Sequence, residues 1–157
     1  MNLTVKRKSY FRIGLYALML IIALPFASGC GPGAKRNQAE DMIEKFYSAV
    51  KKQDFEKTAD YFATAYFKRN SKREWIKQLT VESKKLGALK SYERTEWKLL
   101  KKLDEDKMVR TYVALQYKVQ YELGSATETF TCAFLDDKHP KIWRYLFVGS
   151  DGSRYSG

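Results

Sequence analysis

The chain has 157 residues, 45% of them hydrophobic and 15% aromatic, with 29 basic and 18 acidic residues and a formal net charge of +11. That length suits one domain with appendages rather than an assembly of domains, and the apolar share excludes a disordered chain. The basic residues are interspersed with acids instead of forming a block, which argues against a nucleic-acid-binding stripe and for a solvated basic surface.

The first 29 residues carry Lys6, Arg7, Lys8 and Arg12 and no acid; without them the chain keeps 25 basic and 18 acidic residues, a net of +7. Ile13 to Phe26 is apolar apart from Gly14, Tyr16 and Pro25. It has the length of a signal h-region and falls short of the roughly 20 apolar residues that span a bilayer. Ala27, Ser28 and Gly29 follow, then Cys30. Small residues suit the narrow pockets of a signal peptidase, but an ordinary signal needs no thiol after the cut. Ala27-Ser28-Gly29-Cys30 resembles the bacterial lipobox, with Ala27 where Leu is usual. The resemblance covers the leader, residues 1–29, and Cys30. It implies export, cleavage before Cys30 and acylation of that thiol, so that the partner is a membrane. Two or three acyl chains anchor stably where one is marginal. Gly31 after the cysteine resembles the outer-membrane sorting pattern, facing the periplasm, if the source is Gram-negative. With Cys30 acylated, Cys132 has no disulfide partner in the chain; in its strand pattern it reads as a small buried hydrophobe.

Residues 30–37, rich in glycine, read as the lipidated cysteine and a short tether. Ala39, Met42, Ile43, Phe46, Tyr47 and Val50 then form one helical apolar stripe. Asp54 is placed to cap a second, short helix with Phe55, Ala59 and Phe62 on one face. Ser71 and Glu74 have capping-box spacing at the start of a third helix, whose inner face is Trp75, Leu79 and Leu86, and Gly87 is placed to end it. The period changes to two from Val109 to Leu123, the clearest strand in the chain. A strand with Trp97, Leu99 and Leu103 on one face precedes it, with a turn at Asp104-Glu105-Asp106. A third strand places Phe130, Cys132 and Phe134 on one face. The last runs from Ile142 to Val148, with Trp143, Tyr145 and Phe147 on one face and Ile142, Leu146 and Val148 on the other. Residues 150–157 read as a flexible tail.

Three helices followed by a curved four-stranded antiparallel meander make an α+β fold. The phrases "AEDMIEKFYSAVKKQDFEKTADYF", "GALKSYE" and "KIWRYLFV" resemble nuclear transport factor 2-like domains, over residues 38–149. The resemblance lies in topology and patterning rather than in a catalytic motif. It implies a cone of sheet around the helices, with a pocket that some members, polyketide cyclases and ketosteroid isomerases, use for catalysis. It also implies pairing of two copies through the sheet.

Such chemistry needs a buried carboxylate with its pKa raised and a donor for the enolate oxygen. Glu122 and Glu128 fall near strand ends, Glu96 reads as part of a surface charge ladder with Arg94 and Lys98, and the single histidine, His139, lies in a polar turn. No metal-ligand spacing and no phosphate loop is present in the sequence, so no cofactor is expected. Tyr47, Phe62, Trp75, Trp97, Tyr117, Phe130, Phe134 and Trp143 read chiefly as core. They double as candidates for the walls of an apolar pocket. Lys68, Arg69, Lys72, Arg73, Lys77, Lys84 and Lys85 gather around the third helix, a solvated face that also suits anionic headgroups or envelope polymers. The expected work is non-catalytic binding or assembly, with an apolar ligand or an envelope protein as partner and no nucleic acid. The alternative is an isomerase- or cyclase-type enzyme, for which an acid deep in the cone beside a tyrosine donor would speak. A filled core would favour the interaction module.

Overall fold

The computed structural model describes residues 31–68, 71–103, 109–134 and 139–156, and places helices before an antiparallel sheet, a segregated α+β arrangement. Helix α1 spans Pro32–Lys51, α2 Phe55–Thr58 and α3 Lys72–Leu86, with short 3-10 turns at Ala59–Tyr61 and Tyr66–Lys68. The strands are β1 Leu89–Leu103, β2 Val109–Tyr121, β3 Ser125–Phe134, β4 Pro140–Gly149 and β5 Arg154–Ser156, in the order β1-β2-β3-β4-β5 within one antiparallel sheet. The leader, Cys30, Arg69 and the turn at 104–106 lie outside the described residues.

Local chemistry accounts for the helices. Pro32 opens α1, where its missing N–H costs nothing and its fixed φ suits the helix. The stripe Ala39, Met42, Ile43, Phe46 and Tyr47 is buried, and Val50 packs beside it. Residues 32–37, expected as tether, are therefore helical. Asp54 caps α2 by accepting from the Lys57 amide at 3.2 Å. On α3 the capping box forms in both directions, Ser71 Oγ accepting from the Glu74 amide at 3.1 Å and Glu74 Oε2 from the Ser71 amide at 3.2 Å. Such a cap is worth about 1 kcal/mol. Gly87 ends the helix at φ 75° and ψ −164°, a region that is essentially glycine's alone. A Cβ there would stand 2.8 Å from that of Glu122.

The helices cover one face of the sheet. On β2, Val113, Leu115, Tyr117 and Val119 point into the core. Their neighbours Gln116, Lys118 and Gln120 lie on the opposite face. The alternation stops at Tyr121; Leu123 falls in the following turn and is exposed. Along the sheet α1 runs from the far end of β3, with Lys35 over the Phe134 ring and Arg36 over that of Trp97. It passes the Glu40–Arg94 ion pair at 2.7 Å and ends where Tyr47 stacks on Tyr92 at 4.1 Å.

Two expectations are corrected. First, a bulge interrupts β3–β4 pairing: Thr131 faces Arg144 but Cys132 faces Ile142. The extra residue flips the parity of β4. Ile142 enters the core with Tyr145 and Phe147, while Trp143 packs against Tyr112, with ring centroids 6.4 Å apart. Second, the sheet has five strands, not four. Residues 150–153 form a turn, with the Gly149 amide donating to the Ser153 carbonyl at 2.8 Å and Gly152 at φ 83°. Asp151 accepts from Ser153 inside the turn and pairs with Lys85 of α3 at 2.6 Å. The chain thereby returns as β5, and Tyr155 stacks on Phe147 at 4.7 Å.

Candidate functional site

The polar centre of the molecule is Glu128. Ala126, Glu128, Phe130 and Cys132 alternate onto the inner face of β3, so the strand that buries Phe130 buries this carboxyl as well, at 1% exposure. Three hydroxyls donate to it. Tyr121 from β2 reaches Oε1 at 2.6 Å. Tyr145 from β4 and Tyr47 from α1 reach Oε2 at 2.9 and 3.2 Å. The Tyr155 hydroxyl from β5 lies 3.5 Å from that of Tyr145 and extends the network outward. Four strands and a helix thus converge on one acid.

Burial is the largest influence on Glu128 and pushes its pKa up; the three tyrosine hydrogen bonds oppose that by favouring the charged form. No lysine or arginine pairs with it among the described residues. The tyrosines respond in the same sense. Burial, then the Glu128 charge, raises Tyr47, Tyr121, Tyr145 and Tyr155, which keeps all four hydroxyls protonated as donors.

A small cleft opens between α3, the α1–α2 turn and the sheet. Tyr121, Tyr155, Phe147, Leu79 and Glu82 are among its walls, and its volume is about 30 Å³. That is room for one or two waters and far short of a metabolite. Tyr121 and Tyr155 are shared between the cleft and the Glu128 network. Glu82 Oε2 is a buried atom with no hydrogen-bond partner among the described residues. The arrangement therefore has a carboxylate on each side of a tyrosine pair. It can hold a proton or an ordered water, and Glu128 itself is buried.

The sequence-derived candidates fall elsewhere. Tyr47, Phe62, Trp75, Tyr117, Phe130 and Phe134 are buried and pack on one another, as in Phe46–Phe130 at 5.3 Å, Phe62–Trp75 at 4.6 Å and Trp75–Tyr145 at 5.2 Å. The Trp75 indole N–H donates to Thr58 Oγ1 at 3.0 Å. Trp97 is half-buried at the core margin and Trp143 lies on the other face. None of the eight lines the cleft. Lys68, Lys72, Arg73, Lys77, Lys84 and Lys85 are all exposed. Lys72 pairs with Asp60 at 3.7 Å near the start of β4, and Lys85 pairs with Asp151 beyond its end. Glu96 is exposed and pairs with Lys98 at 3.7 Å.

Sequence reading missed the role of Glu128, although its alternation with Phe130 and Cys132 marked the face it takes. Among the described residues no group of three or more histidine, cysteine or acidic side chains is placed to hold a metal, and no helix is long and apolar enough to cross a membrane. The buried Cys132 thiol has its pKa pushed up by burial, which leaves it unreactive. No protein-family model matches the chain, and no curated protein matches it.

Proposed function

We propose that the chain is a lipoprotein anchored outside the cytoplasm through Cys30, and that its domain, a cone of the nuclear transport factor 2-like kind, is a non-catalytic binding or assembly module. The observation that carries the second half is the ring-on-ring packing among the described residues. The aromatic side chains that would wall a ligand chamber pack ring on ring, and the cleft beside them holds no more than water. Contacts with envelope partners then fall to the outer surfaces. The anchoring half rests on the order of basic, apolar and small residues before Cys30.

One observation favours a second reading, an isomerase- or cyclase-type enzyme: Glu128 is a buried acid with tyrosine donors. Its tyrosines already occupy the carboxyl, and catalysis would require the domain to open.

Intact mass of the chain extracted from a bacterial membrane tests the anchoring, beside a Cys30→Ser form. The expected product begins at Cys30 and carries added diacylglycerol; an unlipidated product would overturn the anchoring. Turnover of an enolisable ketone by the wild-type chain, abolished by Glu128→Gln, would overturn the non-catalytic reading.

A further inference from the structure

Helix α3 turns one stripe toward the core, and Trp75, Leu79 and Leu86 are buried along it. Glu82 falls on the same stripe, three residues after Leu79 and four before Leu86, where the helical period calls for an apolar side chain. The residue is half-buried, and its Oε2 is the buried atom without a hydrogen-bond partner among the described residues. A buried oxygen without a donor is costly, and Glu82 lines the cleft between α3, the α1–α2 turn and the sheet.

The rest of that lining is rich in acceptors and poor in donors. The Tyr121 hydroxyl gives its proton to Glu128 Oε1 at 2.6 Å. Tyr145 gives its proton to Glu128 Oε2, so in the 3.5 Å contact between Tyr145 and Tyr155 it is Tyr155 that donates. Both lining hydroxyls, Tyr121 and Tyr155, therefore keep only lone pairs for the cleft. The backbone amides of Gln53, Gly87 and Ala88 are spent on the Val50 carbonyl, the Ser83 carbonyl and the Glu122 carboxylate, at 2.9, 3.0 and 3.4 Å. Lys51, the cation among the lining residues, holds its ammonium 5.5 Å from the centre of the Tyr92 ring. Lys85, one turn of α3 past Glu82, pairs with Asp151 at 2.6 Å. The side chains of Gln53 and Ser83 donate or accept according to what they meet. The rings of Phe55, Phe147 and the two tyrosines complete the walls, and aromatic faces attract a cation.

We infer that the cleft binds the head of a primary amine in its protonated form, a group with three donors and no acceptor, set against Glu82 Oε2 and the tyrosine oxygens within aromatic walls. The size agrees. A volume of about 30 Å³ admits one or two water-sized groups, which here are the ammonium nitrogen and the carbon that carries it. A quaternary ammonium with four methyl groups is too large. The inference rests on the binding-module reading, whose ligand class it names, and not on the anchoring. The two fail separately, because ketone turnover reads Glu128 and amine binding reads Glu82.

The probe is methylammonium chloride, added to the full chain in micelles of a non-ionic detergent, with sodium chloride holding the ionic strength. Binding is read by saturation transfer from the protein to the methyl protons. For a ligand of two non-hydrogen atoms the expected Kd is on the order of millimolar. The expected result is saturable transfer in that range, weakened about tenfold by Glu82→Gln, which keeps the shape and removes the charge, and no transfer to tetramethylammonium. Lys51→Gln, at an exposed position, is expected to tighten binding about twofold by removing a like charge, and it keeps the test open should Glu82→Gln fail to fold. Absence of transfer in the wild-type chain means that the cleft holds water only and overturns the inference. Transfer left unchanged by a folded Glu82→Gln, or by Lys51→Gln, overturns it as well, as does equal binding of tetramethylammonium. Competition by Nα-acetyl-lysine amide assigns the amine to a lysine side chain; methylammonium binding without that competition assigns it to a free small amine, and either result upholds the chemistry.

Discussion

At the end of the sheet where β3 begins, a glutamate and three tyrosine hydroxyls are folded inward, and the C-terminal strand closes over them. At the other end, where β1 gives way to β2, Leu103 and Val109 stand in solvent beside lysines. One end places its polar chemistry inside and the other its apolar surface outside. Buried polar groups are tolerated when satisfied, and at the first end Glu128 accepts from three tyrosine hydroxyls while Glu82 Oε2 beside them has no partner among the described residues. Exposed apolar pairs suit contact with an apolar phase, and the second end has no protein cover among the described residues. The fold invests its specificity in the packing of the first end.

The comparison breaks most visibly if the seal is removed. Tyr155→Ala deletes the ring stacked on Phe147 and opens the cleft; we expect a loss of about 2–3 kcal/mol, read from the urea midpoint at unchanged slope. Glu128→Leu leaves three buried hydroxyls without their acceptor, and about 2 kcal/mol should be lost in the same measurement. Glu128→Gln sharpens the account through pH. The folded-state pKa of Glu128 is raised above the usual 4.5, so its favourable contribution is complete when protonated at low pH and declines as pH rises through the raised value. Glutamine keeps an acceptor and cannot ionise. The variant is therefore expected to be more stable than wild type at pH 8, with the gap closing as pH falls through the raised value toward 4.5. A gap that widens toward low pH would contradict this assignment. At the other end, Leu103→Ser with Val109→Thr should change stability by less than about 0.5 kcal/mol, because both side chains are exposed.

Much of the fold was legible because it is set locally. The stripe from Ala39 to Tyr47, the Ser71–Glu74 box, Gly87 and the alternation of Val113 to Val119 each carry their own physical reason, and each takes the predicted place. What escaped depends on pairing between distant residues. The bulge beside Trp143 adds one residue to β4 and has no sequence mark, yet it decides which of Ile142 and Trp143 reaches the core. The stretch Ser150 to Ser153 carries ordinary turn chemistry, but only the docking of Asp151 on Lys85 and of Tyr155 on Phe147 makes the tail a strand. Glu128 was passed over for the same reason. A residue near a strand end is expected in solvent, and its burial follows from α1, β4 and β5 arriving over that end.

The account stands most directly on the sealing of Glu128, and carbodiimide labelling of the folded chain, read residue by residue in a mass spectrometer, measures that. Glu96, with its side chain 61% exposed, serves as the reference. The prediction is that Glu96 is modified while Glu128 is not until the chain is unfolded. Modification of Glu128 in the folded chain at a rate near that of Glu96 would mean that the interior opens to solvent, would contradict the burial of the acid, and would favour the enzymatic reading of the acid and its tyrosines.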